Sequence, residues 1–335
     1  MQNRINIKAI VSTALVAVLA ILLPVSCTIL EDLEPCPRGL RIKFVYDYNM
    51  EYANAFHSKV DCYNLYVYDK EGNFLKSFTE TGEKLKDENY RLEIDLPHGE
   101  YNLVCYGGLA CDKKSFTLES EPTDGSVMSD LSATLKHEGA VSDQLLNNFY
   151  WGSKNVKVTG ELYNDVTLNL MRNTNNVRIM LQHLDGTAIP AAEFEYTITD
   201  DNTKFDSKNN LVPNGTITYR PWSQGIAKPQ LDTKADEEGP SANYAEFSTS
   251  RFYIHNQNRL VIKSKENENP TVDIPLNEYL LMLKSMQFEN MSSQEFLDRQ
   301  SDWSLIFFLD QRYRWINTHI FVNGWVVRLN DMGLV

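Results

Sequence analysis

The sequence has little positive charge. Its 335 residues contain 32 Lys and Arg against 45 Asp and Glu, which gives a formal net charge of -13. Nucleic-acid-binding proteins need a basic face that neutralises phosphates, and anionic lipid headgroups attract basic segments. We therefore expect that the protein has no nucleic-acid partner and is not held on a membrane surface by charge alone.

The sequence also lacks the short motifs that mark catalytic and metal sites. It contains no P-loop, no G-x-S-x-G and no H-E-x-x-H. Its histidines do not follow the spacings of metal ligands. Aspartate and glutamate are so abundant that some of them must lie close together by chance. Such pairs therefore do not indicate the two catalytic carboxylates of a glycosidase. We predict that the protein is not an enzyme and has no catalytic residues, cofactor or metal.

Cysteines are few and lie in the first third of the chain, at Cys27, Cys36, Cys62, Cys105 and Cys111. If Cys27 carries a lipid, the other four are candidates for disulfides in an oxidising compartment. The alternative is that they are buried free thiols that pack as small apolar groups. The sequence alone leaves their pairing open.

The longest apolar run is at the N-terminus. Arg4 and Lys8 precede a stretch from Ala9 to Leu23, and Ser26 comes directly before Cys27. A basic start, an apolar run and a small residue before the cut are typical of a secretory signal peptide, here residues 1–26. A cysteine just after the cut is what lipoprotein signal peptidase requires. We predict a lipoprotein whose Cys27 carries the lipid.

Two alternatives to this lipoprotein remain, a plain signal peptide and an uncleaved signal anchor. Pro24 occupies the position where the lipobox usually has leucine. The apolar run is short for a membrane span, which needs about 20 residues. Residues 27–38 then read as an extended tether, because prolines on both sides of Cys36 disfavour a helix.

After the tether, apolar and polar residues alternate with a period of two. Ile42 and Phe44 share one face, and Phe194, Tyr196 and Ile198 repeat the pattern far along the chain. Many short strands of this kind, separated by turn residues, predict antiparallel sandwiches that bury one face of each sheet. We predict an all-β protein with an N-terminal domain at 39–163 and a C-terminal domain at 164–335.

Only short helices are predicted. An apolar stripe with helical spacing runs through Leu276, Tyr279, Leu280 and Leu283. Ser292 to Glu295 has the pattern of a capping box that opens a helix. A further short helix is expected over Asp143 to Phe149.

Some polar and aromatic residues allow two interpretations. Oxygen ligands near strand ends could bind calcium, although capping of turns is the simpler role; these residues are Asp47, Tyr48, Asn49, Asp69 and Asp310. Three tryptophans could form a sugar-binding platform, although packing in the core of a sandwich is the simpler role; these are Trp303, Trp315 and Trp325.

Taken together in order, several segments resemble the FimB-type fimbrial anchor family of Bacteroidales, the fimbrillin-associated anchor lipoproteins. The resemblance covers nearly the whole chain after the predicted signal peptide. The matching segments are 34–37, 40–50, 67–72, 96–101, 106–109, 170–175, 247–251, 274–276, 294–299, 307–310 and 322–330.

This resemblance implies two tandem transthyretin-like β-sandwiches and no enzymatic activity. It also implies a lipidated outer-membrane subunit at the base of a fimbria, exposed on the cell surface, which ends fibre assembly and limits its length. The implied partners are stalk subunits, joined by donor-strand-type contact, and the outer membrane, joined through the lipid. We expect Trp315 to Leu329 to complete the second domain.

A second function stays open on the sequence alone. The chain could be a surface lipoprotein adhesin, or a tip subunit, that binds glycan or a host protein. Exposed aromatic residues in a groove would favour glycan binding, whereas buried tryptophans would favour fibre assembly.

Overall fold

The structure is a computed structural model that describes residues 38–160, 162–190, 193–227, 242–267, 269–282, 284, 288–322 and 325–329. The predicted signal peptide and all but the last residue of the predicted tether lie outside these residues, as do Cys27 and Cys36. Among the described residues, no helix has the length and apolar character needed to cross a membrane.

The described part of the chain is built mostly from strands, as the period-two pattern predicts. The strands of the first half are β1 (Gly39–Val45), β2 (Cys62–Asp69), β3 (Phe74–Thr81), β4 (Leu92–Asp95), β5 (Gly99–Gly107), β6 (Phe116–Leu118), β7 (Ser132–Leu135), β8 (Val141–Ser142), β9 (Tyr150–Val158), β10 (Tyr163–Asn169) and β11 (Met171–Arg172). Those of the second half are β12 (Thr174–His183), β13 (Phe194–Asp200), β14 (Lys204–Asp206), β15 (Ile217–Tyr219), β16 (Ser223–Ala227), β17 (Ala242–Ser250), β18 (Arg259–Ser264), β19 (Val272–Pro275), β20 (Asp302–Leu309), β21 (Trp315–Val322) and β22 (Trp325–Leu329).

Three α-helices lie within the described residues. They are α1 (Phe56–Lys59), α2 (Leu276–Leu281) and α3 (Ser293–Arg299). Both patterned helices are found where the sequence predicts them, and the Ser292 hydroxyl caps α3 by accepting a hydrogen bond from the Glu295 amide at 3.1 Å. The helix predicted over Asp143 to Phe149 is wrong, because this segment runs as an irregular connection into β9.

The first sandwich packs a three-stranded sheet, β10-β1-β4, against a five-stranded sheet, β11-β9-β5-β2-β3. Alternate residues of β1 point into the space between the sheets, where Leu40, Ile42 and Phe44 are fully buried. Phe44 contacts the ring of Tyr63 with centroids 4.4 Å apart, which gives this core an aromatic centre.

The second sandwich packs a six-stranded sheet, β16-β17-β12-β20-β21-β22, against a five-stranded sheet, β19-β18-β13-β15-β8. Its central strand β12 pairs with β17 in antiparallel fashion and with β20 in parallel. The strand β21 pairs with β20, and β22 pairs with β21. Segment 315–329, outside its two undescribed residues, therefore extends the sheet of its own second sandwich. The predicted all-β architecture of two sandwiches is confirmed.

The two halves of the chain interlock more than the predicted division at 163/164 implies. By strand pairing, β10 and β11 belong to the first sandwich, since β10 runs parallel to β1 along its whole length. A small third sheet, β14-β7-β6, combines strands from both halves. Strand pairing thus carries the first sandwich beyond the predicted division, to Arg172. Two independently folding domains at 39–163 and 164–335 remain a proposal.

A continuous apolar core joins the sandwiches. One face of β2 and β5 turns away from the first core and packs instead on the small third sheet. There Tyr106 stacks on Phe149 and Phe149 stacks on Phe116, with centroids 5.6 and 4.2 Å apart. Close-packed interiors transmit strain because they have few voids and low compressibility. We therefore expect a force applied to one sandwich to be transmitted to the other, rather than taken up by bending between them.

Candidate functional site

The junction of the two sandwiches carries the largest buried polar network that we find in the described part of the chain. The irregular segment after β17, residues 251–258, turns back here between the sheets and the two helices α2 and α3. A buried irregular segment needs partners for its backbone groups. We call these side chains and their partners the junction network.

A buried ion pair forms the centre of the junction network. Arg251 donates from Nε to Asp298 Oδ1 at 2.7 Å and from Nη2 to Asp298 Oδ2 at 2.8 Å. Both side chains are at most one-tenth exposed. The fork of two parallel bonds fixes direction as well as distance. It therefore ties the chain after β17 to helix α3.

Neighbouring amides complete the coordination of this pair. Gln294, one turn before Asp298 on α3, donates to Asp298 Oδ1 at 2.8 Å and accepts from the Ile254 amide at 2.9 Å. The third Arg251 nitrogen, Nη1, donates to the Asn209 carbonyl at 3.2 Å. Buried charges are tolerated when such additional hydrogen bonds satisfy them.

A second arginine, Arg299, connects α3 to the first sandwich. Its guanidinium lies over the rings of Tyr48 and Tyr52, 4.2 and 4.6 Å from their centroids. Its Nη1 also donates to the carbonyls of Asp47 and Asn49, at 3.2 and 3.3 Å. Guanidinium groups combine aromatic stacking with several donors, which lysine does not. One side chain therefore clasps the segment that follows β1.

Paired asparagines close the network on the side of β12. Asn173 and Asn209 are buried and exchange two amide hydrogen bonds, at 2.7 and 3.0 Å. Asn173 also donates its backbone amide to Phe149 in the first sandwich at 2.7 Å. Because the two asparagine side chains satisfy each other in this way, this side of the network should be stiff.

Asp200, at the end of β13, is an incompletely paired member of this region. It is 4% exposed, and its Oδ1 accepts hydrogen bonds from Asn256 Nδ2 and the Asp201 amide, at 2.7 and 2.8 Å. Its Oδ2 is buried without a hydrogen-bond partner among the described residues. Burial raises the pKa of this carboxyl from 3.8 to about 6.

The raised pKa of Asp200 predicts a pH-dependent stability. A pKa above the unfolded value means that the native state binds the proton more tightly, so this contribution is present below pH 4 and is lost as pH rises through 6. Asp200→Asn should therefore raise the free energy of unfolding at pH 8 by up to roughly 3 kcal/mol, and the two proteins should converge near pH 4. Urea unfolding across this pH range measures the difference.

The matched control is Asp165→Asn, which also removes one negative charge but from a side chain that is 79% exposed. It should change stability little at any of these pH values. If Asp200→Asn destabilises the protein at pH 8, the carboxylate is stabilised by its surroundings and the interpretation is wrong.

The cysteines predicted as disulfide candidates have different environments. Cys62 and Cys111 form a disulfide with Cα atoms 5.5 Å apart, which links the start of β2 to the segment after β5. Cys105 is a fully buried free thiol in the core of the first sandwich, and burial raises its pKa. Cys36 and the predicted lipidation site Cys27 lie outside the described residues.

The predicted oxygen ligands serve turns and contacts in this structure. Asp69 accepts hydrogen bonds from the backbone and side chain of Asn73, at 2.7 and 2.8 Å. Asp310 accepts from the Arg312 and Arg314 amides, both at 2.9 Å. These bonds lower the pKa of both carboxyls. Asp47 and Asn49 present their carbonyls to Arg299, so capping and contact explain these residues.

The predicted tryptophans lie mainly inside the fold. Trp303 is 2% exposed, and its ring meets that of Phe296 edge to face at 5.8 Å. Trp315 is half-buried against Tyr279 and Phe307, with centroids 6.0 and 5.6 Å away. Neither forms an open sugar platform. The side chain of Trp325 lies outside the described part.

Sequence patterns did not single out Arg251, Asp298 or Arg299 as functional residues, although all three fall within segments that carry the family resemblance. Two of these residues had a local signal in the sequence. Arg251 follows a strand of buried residues, and Asp298 lies on the apolar side of a short helix. A charge in an apolar setting usually has a partner. Only the fold shows which charged side chains pair with one another.

Two tandem β-sandwiches joined through a buried polar network and a shared apolar core are the architecture of this chain. A family model supplies the particular class. The chain belongs to the family of fimbrillin-A associated anchor proteins Mfa1 and Mfa2, whose model matches residues 33–331. It is thus a fimbria-associated subunit, and the resemblance seen in the sequence is confirmed.

Solved structures of similar proteins agree with this assignment. A candidate adhesin from Bacteroides thetaiotaomicron is 45% identical, with a TM-score of 0.82 over 89% of this chain and 100% of its own. A candidate polysaccharide-binding protein from the same organism is 33% identical, with a TM-score of 0.74 over 88% of this chain and 99% of its own.

A more distant structure shares the fold. The fimbrial anchor protein Mfa2 from Porphyromonas gingivalis is 15% identical, with a TM-score of 0.65 over 88% of this chain and 99% of its own. No curated protein sequence matches this chain. These similar proteins are described as fimbrial, adhesive or polysaccharide-binding, and none of these three is described as an enzyme.

Proposed function

We propose that this chain is the lipid-anchored base subunit of a fimbria. Its lipid on Cys27 holds it in the outer membrane at the cell surface, its second sandwich holds the first stalk subunit, and its presence ends assembly and limits fibre length. The observation that supports this proposal is the direction of the fold, which places the two sandwiches in series between the start of β1 and the far end of the second sandwich.

The first sandwich has the start of β1 and its junction at opposite ends. Strand β1 starts at Gly39, directly after the predicted tether, and runs toward the second sandwich. At its far end Val45 accepts a hydrogen bond from the Leu170 amide at 2.7 Å, close to the segment that Arg299 clasps. A strand rises about 3.3 Å per residue, so roughly 20 Å separates the tether end from the junction.

The second sandwich continues in the same direction. Strands β12 and β20 run in parallel away from the junction, so the turns that follow them lie together at the far end. Gln311, in the second turn, donates a hydrogen bond to Asp185 in the first. We call this end the far pole, defined by Leu184, Asp185, Leu309, Asp310, Gln311 and Ile316.

The far pole has an apolar surface suited to a neighbouring subunit. Its residues line a cavity of about 290 Å³. Leu184 is 66% exposed and Ile316 is 46% exposed, beside the buried Leu309. Exposed apolar groups that cluster with a polar rim mark interaction sites. Because Asp310 is paired with Arg314, the rim is polar and largely neutralised, and the exposed apolar side chains would suit an apolar side chain of a stalk subunit.

Donor-strand-type contact would add to this docking. Strand addition uses the unpaired backbone groups of an edge strand, and the six-stranded sheet has β16 and β22 at its edges. Because β21 and β22 already extend their own sheet, we expect the stalk to use the remaining edges rather than to displace this hairpin.

Charged substitutions at the far pole test the proposal. The double variant Leu184→Asp, Ile316→Asp should weaken fibre attachment by about 2 kcal/mol or more, because it places carboxylates in an apolar contact. Electron microscopy should then show detached, longer fibres in the medium, with the subunit still on the cell.

The control is Leu162→Asp, since Leu162 is 71% exposed but precedes β10 at the tether end. It should leave attachment and fibre length unchanged. Fibres that stay attached at normal length in the far-pole variant would place the stalk contact elsewhere.

A further inference from the structure

A cleft on the outer face of the six-stranded sheet shares no lining residue with the far pole. It lies near the junction end and encloses about 370 Å³, which is within the usual range of ligand pockets. Two exposed apolar side chains line it. Trp222, just before β16, is 39% exposed, and Leu145, in the segment wrongly expected to be helical, is 54% exposed.

The floor of this cleft is polar and hydrogen-bonded across strands. Arg178 on β12 donates from Nε to Glu246 Oε1 on β17 at 2.8 Å. The second oxygen of Glu246, Oε2, takes no part in this bond. Beside the pair, Asn176 donates to Asp302 Oδ1 on β20 at 2.8 Å.

An aromatic wall beside a polar floor has the chemistry that a pyranose requires. A sugar ring with equatorial hydroxyls offers axial C–H groups to an aromatic face, and its hydroxyls both donate and accept hydrogen bonds. Carboxylates, amides and guanidinium groups hold such hydroxyls in fixed directions. Trp222 supplies the aromatic face, whereas Glu246, Arg178 and Asn176 supply the polar contacts.

The charges of the cleft favour a neutral ligand. The positive charge of Arg178 is matched by Glu246, and the carboxylate of Asp302 lies 3.6 Å from the Arg172 guanidinium. An anionic sugar or a phosphate would therefore find no unmatched positive charge among the residues that line this cleft. The overall charge of -13 acts in the same direction.

A peptide strand is a poor occupant for a geometric reason. Strand addition needs unpaired backbone groups at a sheet edge, but this cleft crosses the interior strands β17, β12 and β20. Their backbone groups already pair with one another. Recognition must therefore come from side chains, as it does for saccharides.

We propose that this cleft is a subsite for a neutral pyranose of a glycan, with Trp222 as its stacking residue. The subsite does not depend on the anchoring function, because it lies away from the far pole. A base subunit that carries it would contact glycan at the cell surface in addition to holding a fibre.

Cellotetraose is a suitable probe, because all its ring hydroxyls are equatorial and both ring faces carry axial C–H groups. The full chain, purified in a sugar-free detergent, should give saturation-transfer NMR signals on the axial ring protons and millimolar or tighter affinity by titration. Trp222→Ala should weaken this affinity by about tenfold or more, and Trp222→Phe should retain part of it.

Leu75→Ala is the control, because it removes a similarly exposed apolar side chain, 44% against 39% for Trp222, from strand β3 outside the cleft. It should bind cellotetraose like the unaltered chain. Circular dichroism should show that each variant is folded. Absence of saturation transfer to the unaltered chain, or equal affinity after Trp222→Ala, would overturn the proposal.

Discussion

Replacing Asp298 with alanine is expected to lower the free energy of unfolding by about 3–5 kcal/mol, because it leaves the Arg251 guanidinium buried without its counter-ion. Both side chains of this pair are at most one-tenth exposed, so water cannot take the place of the carboxylate. Urea unfolding of the chain, followed by circular dichroism, measures the change.

Two further variants separate this effect from a general loss of charge. Arg259 and Asp273 form an exposed pair with half-exposed side chains, so Arg259→Ala should cost about 1 kcal/mol or less. The double variant Arg251→Met, Asp298→Leu replaces both charges with apolar groups and should recover much of the lost stability. If Asp298→Ala costs no more than Arg259→Ala, the buried pair does not hold the junction.

The junction matters to the proposed function because a base subunit works under tension. A pull on the far pole reaches the first sandwich through the connecting backbone and through the contacts between the sandwiches. Arg251 and Arg299 tie the segment after β17, helix α3 and the segment after β1 to one another, while the shared apolar core resists bending. Asp298→Ala should therefore also increase proteolysis between the sandwiches, since local opening exposes that backbone.

Replacing Cys27 with serine is expected to release nearly all of the subunit, together with its fibres, into the medium. Serine cannot form the thioether that holds the lipid. A single acyl chain binds a membrane only marginally, whereas several chains anchor a protein stably. Incorporation of labelled palmitate, cell fractionation and electron microscopy of the medium measure the loss of lipid, of subunit and of fibre.

Cys36→Ser is the matched control, since it makes the same change within the same predicted tether. It should leave lipid, subunit and fibre on the cell. If Cys27→Ser cells keep labelled subunit, the lipid lies elsewhere. If they lose the subunit but keep their fibres, another protein carries the load and the anchor proposal fails.

The helix pattern shows why local features could be predicted from the sequence. The capping box of α3 and the apolar stripe of α2 depend on residues three and four positions apart, so the pattern contains all the partners. The same holds for the alternating strands, whose buried faces follow the period of two. The wrong helix prediction over Asp143 to Phe149 concerns a segment whose apolar residues show no strong periodicity.

The sites of interest depend on partners that are far apart in the chain. Asn176 meets Asp302 across 126 positions, and Arg299 reaches Asn49 across 250. No short-range pattern contains such a pair. Of the tryptophans chosen from the sequence, Trp303 lies in the core and Trp315 is half-buried, whereas Trp222, which no pattern distinguished, is exposed beside an ion pair.

By itself, the sequence determined the class of fold, the family and the expectation of a lipid on Cys27, because these depend on composition, period and the order of short segments. Only the tertiary structure decided how Cys62 and Cys111 pair, which charges are buried, and that the start of β1 and the far pole lie at opposite ends. The physical reason is that burial and pairing energies depend on distance in space. The path of the chain through the sheets sets the distance between two residues in space, whereas their separation in the sequence does not.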